Sequence, residues 1–429
     1  MMKYNSYRDS GIDWLGEAPS HWNNYRIDWI GSLIRGNTGF RKDELLDEGE
    51  YVALQYGKTY QVEEVNNAFQ YYVNGEFFKK NQVVNYGDTI LISTSETIED
   101  IGHSCHYNRY DRGLIGGEQI LFKPDRKTVL GKYLYYYSKK FSSEIRKYAR
   151  GLKVFRFNID DLKKIFVAIP SIEEQTAIAE YLDTKTQAID KKVSLLEKKI
   201  NYYQELRKSL INETVTKGLD KNVKFKDSGI DWITQIPEHW EVKRFKSFAF
   251  TTKGKSLETS DFPFDNALPL LSLEYLRNEN VKFDSYAYSP ERTLLASEKD
   301  LIIVWDGAAV GEILMAKKGF ISSTIAKINF TKSVSSRFFY FLKDSLDYTL
   351  KSIPTGMGIP HLNPSILNNY PCPIPPLQEQ IKITEFLKNK VGLIEKIITN
   401  IQTQITTLKE LRKTLINDVV TGKIKVTHE

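Results

Sequence analysis

The chain has 429 residues, with 60 lysines and arginines against 54 aspartates and glutamates and a formal net charge of +6. A domain averages roughly 100–200 residues, so one ordinary domain is excluded and two to four units are expected. The mildly positive balance permits a polyanionic partner without establishing one; Cys105 and Cys372 are too few and too far apart for a disulfide framework, which fits a reducing cytoplasm.

The N-terminus, Met1 to Ser10, is polar and reads as no signal segment. No run approaches the ~18 apolar residues of a membrane helix, so no membrane partner is expected. The next block, Asp9-Ser10-Gly11-Ile12-Asp13-Trp14 with Pro19, His21 and Trp22, returns at one fixed offset as Asp227-Ser228-Gly229-Ile230-Asp231-Trp232 with Pro237, His239 and Trp240. A match of that length marks an internal repeat.

From about Tyr25 to Ala168 the chain carries short β-type runs, such as Tyr51 to Tyr56 and Thr89 to Ser93. One late helix is predicted over Gly131 to Tyr148. Its tyrosines and phenylalanines read as core, and the region as mixed α/β.

A second repeated block follows. Ile169-Pro170 with Glu174-Gln175 returns as Ile374-Pro375 with Glu379-Gln380. Glu205-Leu206-Arg207-Lys208 and Leu210-Ile211-Asn212 return as Glu410-Leu411-Arg412-Lys413 and Leu415-Ile416-Asn417. Ser171 with Glu174 three residues on predicts a capping box. A long helix then runs to Thr216, with Gly218 as its stop signal. Leu182, Ile189, Leu196, Tyr203 and Leu210 recur every seven residues, with Val193, Ile200 and Arg207 between. The second copy keeps the register with Leu387, Ile394, Ile401, Leu408 and Leu415, alternating with Val391, Ile398, Ile405 and Arg412 up to Gly422. An apolar seam at 3.5-residue spacing predicts a coiled coil. The equivalence of the two halves favours an antiparallel pair with pseudo-twofold symmetry. Such a pair sets the segment after Thr421 beside the N-terminal segment, and Lys217 to Lys226 beside the second repeat of it.

Between the two helices a second variable region, about Phe245 to Cys372, repeats the pattern with a strand at Leu301 to Trp305 and a helix at Ser335 to Lys351. Asp88-Thr89-Ile90-Leu91-Ile92 matches Asp300-Leu301-Ile302-Ile303-Val304, and Gly151, Asn158 and Leu162 match Gly356, Asn363 and Leu367. The fold class is therefore α/β (α+β): two mixed α/β domains separated by two long antiparallel helices. The expected segments are 1–168, 169–217, 218–373, 374–422 and a tail at 423–429.

Constant frame with variable insert points to recognition. The frame Asp-Ser-Gly-Ile-Asp-Trp with Pro-x-His-Trp, used twice, together with the Ile-Pro-x-x-x-Glu-Gln opening of each long helix, resembles that of Type I restriction-modification system specificity subunits. The resemblance covers nearly the whole chain; it is specific in the frame and weak inside the variable domains. It implies that each variable domain is a target recognition domain reading one half of a bipartite double-stranded DNA site. It further implies that the helices dock two modification (methyltransferase) subunits, and that restriction (translocase/nuclease) subunits join them.

No catalytic, cofactor or metal site is expected. Asn363-Pro364-Ser365-Ile366 lacks the second proline and the aromatic residue of an adenine-methyltransferase loop, and aligns with Asn158-Ile159-Asp160-Asp161. Gly356 and Gly358 form no dinucleotide fingerprint, and no Walker motif occurs. His103, Cys105 and His106 lack a second ligand pair and read as a polar loop rather than zinc; His21 and His239 read as packing or hydrogen-bonding residues. Lysine and arginine meet phosphates, while arginine, asparagine and glutamine read base edges. The DNA-binding candidates are therefore Arg41, Lys42, Gln55, Lys58, Thr59, Arg109, Arg112, Lys153 and Arg156 in the first domain. In the second they are Lys253, Lys255, Arg277, Thr355, Met357 and His361. The loops beginning at Gly151 and Gly356 lead this set, because they are equivalent in place and different in chemistry. Three other readings stay open: a coiled-coil scaffold binding proteins, a solitary DNA-binding specificity protein without an active partner, and an enzyme with a cryptic site.

Overall fold

The computed structural model describes residues 2–278, 280–352 and 360–426. Thr355, Met357, Gly356 and Gly358 lie outside them. The chain divides into two compact units: Met1–Glu197 with Thr403–Glu429, and Lys198–Gln402.

Unit 1 opens on a hairpin of Tyr7–Ile12 against Gly16–Pro19. The repeated motif builds its corner. Asp9 accepts from the Gly11 amide at 2.9 Å and Ser10 Oγ from the Ile12 amide at 3.1 Å. Gly11 sits at φ 66°, a conformation glycine adopts without strain. In unit 2, Asp227 and Ser228 repeat these bonds to Gly229 and Ile230, both at 2.9 Å. The variable domain of unit 1 holds a five-stranded sheet in the order Gly31–Arg35, Gln119–Pro124, Thr89–Ile92, Ser104–Tyr107, Glu64–Val65. A four-stranded sheet runs in the order Tyr72–Val73, Tyr51–Leu54, Gly113–Ile115, Val83–Val84. Both mix parallel and antiparallel pairs. Helix α1, Gly131–Ile145, packs on the first sheet and buries Tyr133, Leu134, Tyr137 and Phe141, so its aromatic stripe is core.

Unit 2 repeats the arrangement. Ala249–Lys253, Ile325–Phe330, Leu301–Val304 and Ile313–Met315 form an antiparallel sheet. A second sheet orders Thr259–Ser260, Tyr286–Ala287, Leu268–Leu271, Gly319–Ile321 and Leu295–Ala296.

The two long helices are α2, Ile172–Lys217, and α4, Leu377–Val420; α3, Ser336–Ser352, is the counterpart of α1. Each seam residue named from the sequence is buried or half-buried. Leu182, Leu387, Ile394, Ile401 and Leu415 are buried; Ile189, Leu196, Tyr203, Leu210 and Leu408 are half-buried. The helices run antiparallel in unit 1, where Arg412 pairs with Asp190 at 3.0 Å and Lys409 with Glu197 at 3.7 Å. In unit 2 the repeat-equivalent Arg207 pairs with Glu395 at 3.4 Å, and Ile211 and Val215 share a core with Ile383 and Leu387.

The start of the first long helix departs from the predicted capping box. Ser171 Oγ does accept from the Glu174 amide, at 3.4 Å. The Glu174 carboxylate turns instead to the opening segment, where it takes the Tyr4 hydroxyl, His21 Nε2 at 2.9 Å and Trp22 Nε1 at 3.2 Å. Three side-chain donors outcompete one backbone amide. Glu379 does the same with His239 at 2.8 Å and Trp240 at 3.1 Å. The histidines beside the tryptophans are thus hydrogen-bonding frame residues. Gly422, at φ 75°, is packed so closely that a Cβ would stand 2.4 Å from Pro19 Cδ; the Lys425 amide donates to Met2 O at 2.9 Å. The chain after α4 therefore lies beside the N-terminal segment, as expected. Gly218, at φ 74°, fills the same place against Trp240 in unit 2.

Candidate nucleic-acid interface

In a mixed sheet the strand ends carry the loops, and loops carry recognition. In unit 1 the strands Gly31–Arg35, Tyr51–Leu54, Thr89–Ile92 and Gly113–Ile115 all deliver their C-terminal ends to one edge. The edge is fixed by backbone bonds: Gly36 N to Gln119 O at 2.9 Å, Gly117 N to Thr38 O at 3.0 Å, Gly116 N to Leu54 O at 3.0 Å and Ser93 N to Glu118 O at 3.1 Å. The loop from Gly151 reaches it too, because Thr94 and Ser95 pair antiparallel with Arg156 and Phe155.

This edge gathers several candidates. Gln55 and Lys58 lie on the turn after Tyr51–Leu54, and Arg156 is in the paired loop. Arg41 and Lys42 follow Thr38, and Lys153 sits at the loop tip beside the fully exposed Leu152. Lys58 is partly engaged, its Nζ 4.3 Å from the centroid of the Tyr71 ring.

Arg109 and Thr59 are turned inward, contrary to the expectation for DNA contacts. Arg109 is 7% exposed. Its guanidinium binds Asp111 at 2.5 Å and 2.8 Å, Phe69 O at 2.6 Å and Tyr72 Oη at 3.1 Å. A buried cation persists where such partners meet it. Thr59 is fully buried and accepts from Gln119 Nε2 at 2.8 Å. Arg112 is exposed but precedes Gly113–Ile115, at the opposite end of that strand from the candidate edge.

Unit 2 builds the same edge. Gly254 N donates to Ile325 O at 2.9 Å, Trp305 N to Thr324 O at 2.8 Å and Gly307 N to Pro360 O at 2.9 Å, and Asp306 bridges His361. Lys253 Nζ lies 2.9 Å from one oxygen of Asp306, and His361 Nδ1 lies 2.6 Å from the other. Burial pushes the Asp306 carboxyl up, but the His361 ring and the Lys253 ammonium outweigh it and hold it below the usual carboxylate range. Lys255 pairs with Glu291 at 2.6 Å, and Arg277 forms a two-pronged contact with Glu312. In unit 1 a hydrogen bond to Asp100 pushes the Tyr60 phenol up to about 12.

The decoys resolve as local structure. Asn158 accepts from the Asp161 amide at 3.0 Å and Asn363 from the Ser365 amide at 3.0 Å, so both cap short helices. Where a polar loop was expected at Cys105 and His106, the structure has a buried strand, Ser104–Tyr107, on which the two are neighbours and so point to opposite faces. Burial pushes the Cys105 thiol up to about 12 and the His106 ring down to about 3. Among the described residues no group of three or more His, Cys, Asp or Glu is placed to hold a metal ion, and no helix is long and apolar enough to cross a membrane.

Sequence reading missed Glu118 and Asp306, both at the interface edge. Phosphate and base-edge contacts point first to basic and amide side chains, which leaves both carboxylates out. The available signal was an acidic residue directly after Gly116-Gly117, and an Asp following a tryptophan at the end of a predicted strand.

Comparison with known proteins agrees with this architecture. The chain is 22% identical over 426 residues to the Type I restriction enzyme MjaVIII specificity subunit of Methanocaldococcus jannaschii, covering 95% of this chain and 94% of that one. It is 19% identical to the Type I restriction enzyme StySPI specificity subunit of Salmonella potsdam, covering 95% and 90%. Among solved structures, a chain from work on complex assembly and conformational transition of the type I R-M system matches the fold with a TM-score of 0.73 at 16% identity, covering 95% of this chain and 99% of that one. The HsdS subunit from Thermoanaerobacter tengcongensis matches with a TM-score of 0.55 at 16% identity, covering 95% and 98%. The family described as Type I restriction modification DNA specificity domain matches residues 19–201 and again residues 237–407. With a specificity domain in each half and full-length likeness to specificity subunits, the chain belongs to the type I restriction-modification specificity-subunit family.

Proposed function

We propose that the chain is the sequence-reading subunit of a cytoplasmic type I restriction-modification complex and does no chemistry itself. Each variable domain reads one half of an asymmetric, bipartite duplex target. The paired helices dock two modification subunits, and restriction subunits join that assembly. One observation carries the reading: two domains of one fold present matching backbone edges with different side chains. Matched backbones with different side chains are what two half-sites of different sequence require, because phosphate contacts position a protein and base contacts specify.

The complex with its modification subunits should bind duplex DNA with a steep dependence on salt. Each phosphate neutralised contributes about −0.9 to the slope of log affinity against log salt, so about six contacts give a slope near −5. Titration of a labelled target between low and moderate salt measures it. A flat salt response would favour the protein-binding scaffold instead.

A further inference from the structure

Backbone equivalence at the two edges allows a residue-by-residue comparison. Ser93 N bonds Glu118 O at 3.1 Å where Trp305 N bonds Thr324 O at 2.8 Å. Thr94 pairs with Arg156 where Asp306 bridges His361. Three positions therefore converge in each unit: Thr94, Glu118 and Arg156 in unit 1, and Asp306, Thr324 and His361 in unit 2. Each set holds one carboxylate, one hydroxyl and one nitrogen base or cation, but the carboxylate and the hydroxyl have exchanged places.

In unit 1, Glu118 adopts φ 62°, a conformation unfavourable for a residue with a Cβ. The Thr94 hydroxyl donates to Glu118 Oε2, and Arg156 Nε stands 3.8 Å from the same oxygen. The Glu118 side chain is 44% exposed and that of Arg156 62%. The pair thus offers solvent a fixed carboxylate beside a largely exposed guanidinium. In unit 2 the order is reversed. Asp306 is only 17% exposed, and its two oxygens hold Lys253 and His361, so the outward groups are the His361 ring, 50% exposed, and beside it the Lys253 ammonium, 44% exposed.

We propose that these equivalent triads are the base-reading centres of the two domains, an inference that rests on the DNA-reading function proposed above. A surface that binds a polyanion gains nothing from a carboxylate facing phosphates. A carboxylate there serves by accepting from an exocyclic amine, the N4 of cytosine or N6 of adenine, while the neighbouring guanidinium donates to N7 and O6 of guanine. Unit 1 therefore reads an amine-bearing base next to a guanine, through Glu118 and Arg156. In unit 2, Asp306 is a positioning residue that fixes the His361 ring, and the ring meets the base. Exchange of carboxylate and hydroxyl between equivalent positions makes the two half-sites differ.

The test is mapping of methylated sites in a randomised DNA library by the complex with its modification subunits. Glu118→Gln turns an acceptor-only group into one that also donates. It is expected to change base preference at one position of one half-site, with at least about a tenfold loss on the original sequence. Asp306→Asn is expected to alter the other half-site only. Arg156→Lys keeps the charge but loses the fork, and should relax the guanine position beside the one altered by Glu118→Gln. It also covers the case in which Glu118→Gln fails to fold. A merely structural role predicts weaker methylation of an unchanged sequence by all three variants, and that result would overturn the inference. A wild-type complex without sequence preference would instead overturn the DNA-reading function.

Discussion

Replacing Gln175 with alanine is expected to lower the stability of unit 1 by about 3–5 kcal/mol, because each buried polar group left without a partner costs about 1–3 kcal/mol. Gln175 is fully buried at the start of α2. Its Oε1 accepts from the Leu130 amide at 2.8 Å, and its Nε2 donates to Thr128 O at 2.9 Å and Pro170 O at 3.0 Å. One side chain thus ties the long helix to the loop that starts α1. Gln380 makes the same three contacts in unit 2, with Ser335 N at 2.8 Å and with Ser333 O and Pro375 O at 2.9 Å. Urea unfolding followed by circular dichroism should show the loss for Gln175→Ala, and a similar one for Gln380→Ala. A loss under about 1 kcal/mol, the net worth of one ordinary hydrogen bond, would mean that the carbonyls and the amide find other partners and that the repeated glutamine is not a structural tie.

Ile401→Asp is the second large effect. Ile401 is 4% exposed in the seam of α4, so a carboxylate placed there would be taken out of water. An unpaired buried charge costs roughly 3–5 kcal/mol. Thr407→Asp on the exposed side of the same helix should stay within about 0.5 kcal/mol of the parent. Thermal melting separates the two. If the helices also form the docking surface proposed for the modification subunits, Ile401→Asp should abolish co-elution with them, whereas Thr407→Asp retains it. Equal stability and equal co-elution of both variants would show that the seam is not what holds the helices.

The frame was legible because it is local and used twice. Periodicity located the long helices, and Gly218 and Gly422 marked their ends. The aromatic runs gave α1 and α3 almost to the residue: Gly131 to Tyr148 was expected, and the helix spans Gly131–Ile145 followed by a tighter turn to Tyr148. Sheet order was not legible, since two-residue strands such as Glu64–Val65 are set by distant partners. The same non-local pairing hid the fates of Arg109 and Thr59: composition offers both as contacts, but the folded neighbours draw them inside. Glu174 read as a local cap, and its true partners, His21 and Trp22, lie some 150 residues away in sequence. Glu118 carries no local signal of this kind, because what sets it apart is the geometry it shares with Thr94 and Arg156.

The central claim is that each variable domain reads its own half of the target. Exchanging residues 25–168 for the corresponding domain of another specificity subunit, then mapping methylated sites made by the chimaeric complex, tests it most directly. The account predicts one new half-site, with the other half-site unchanged. A chimaera that is folded and active but alters both half-sites, or neither, would contradict it.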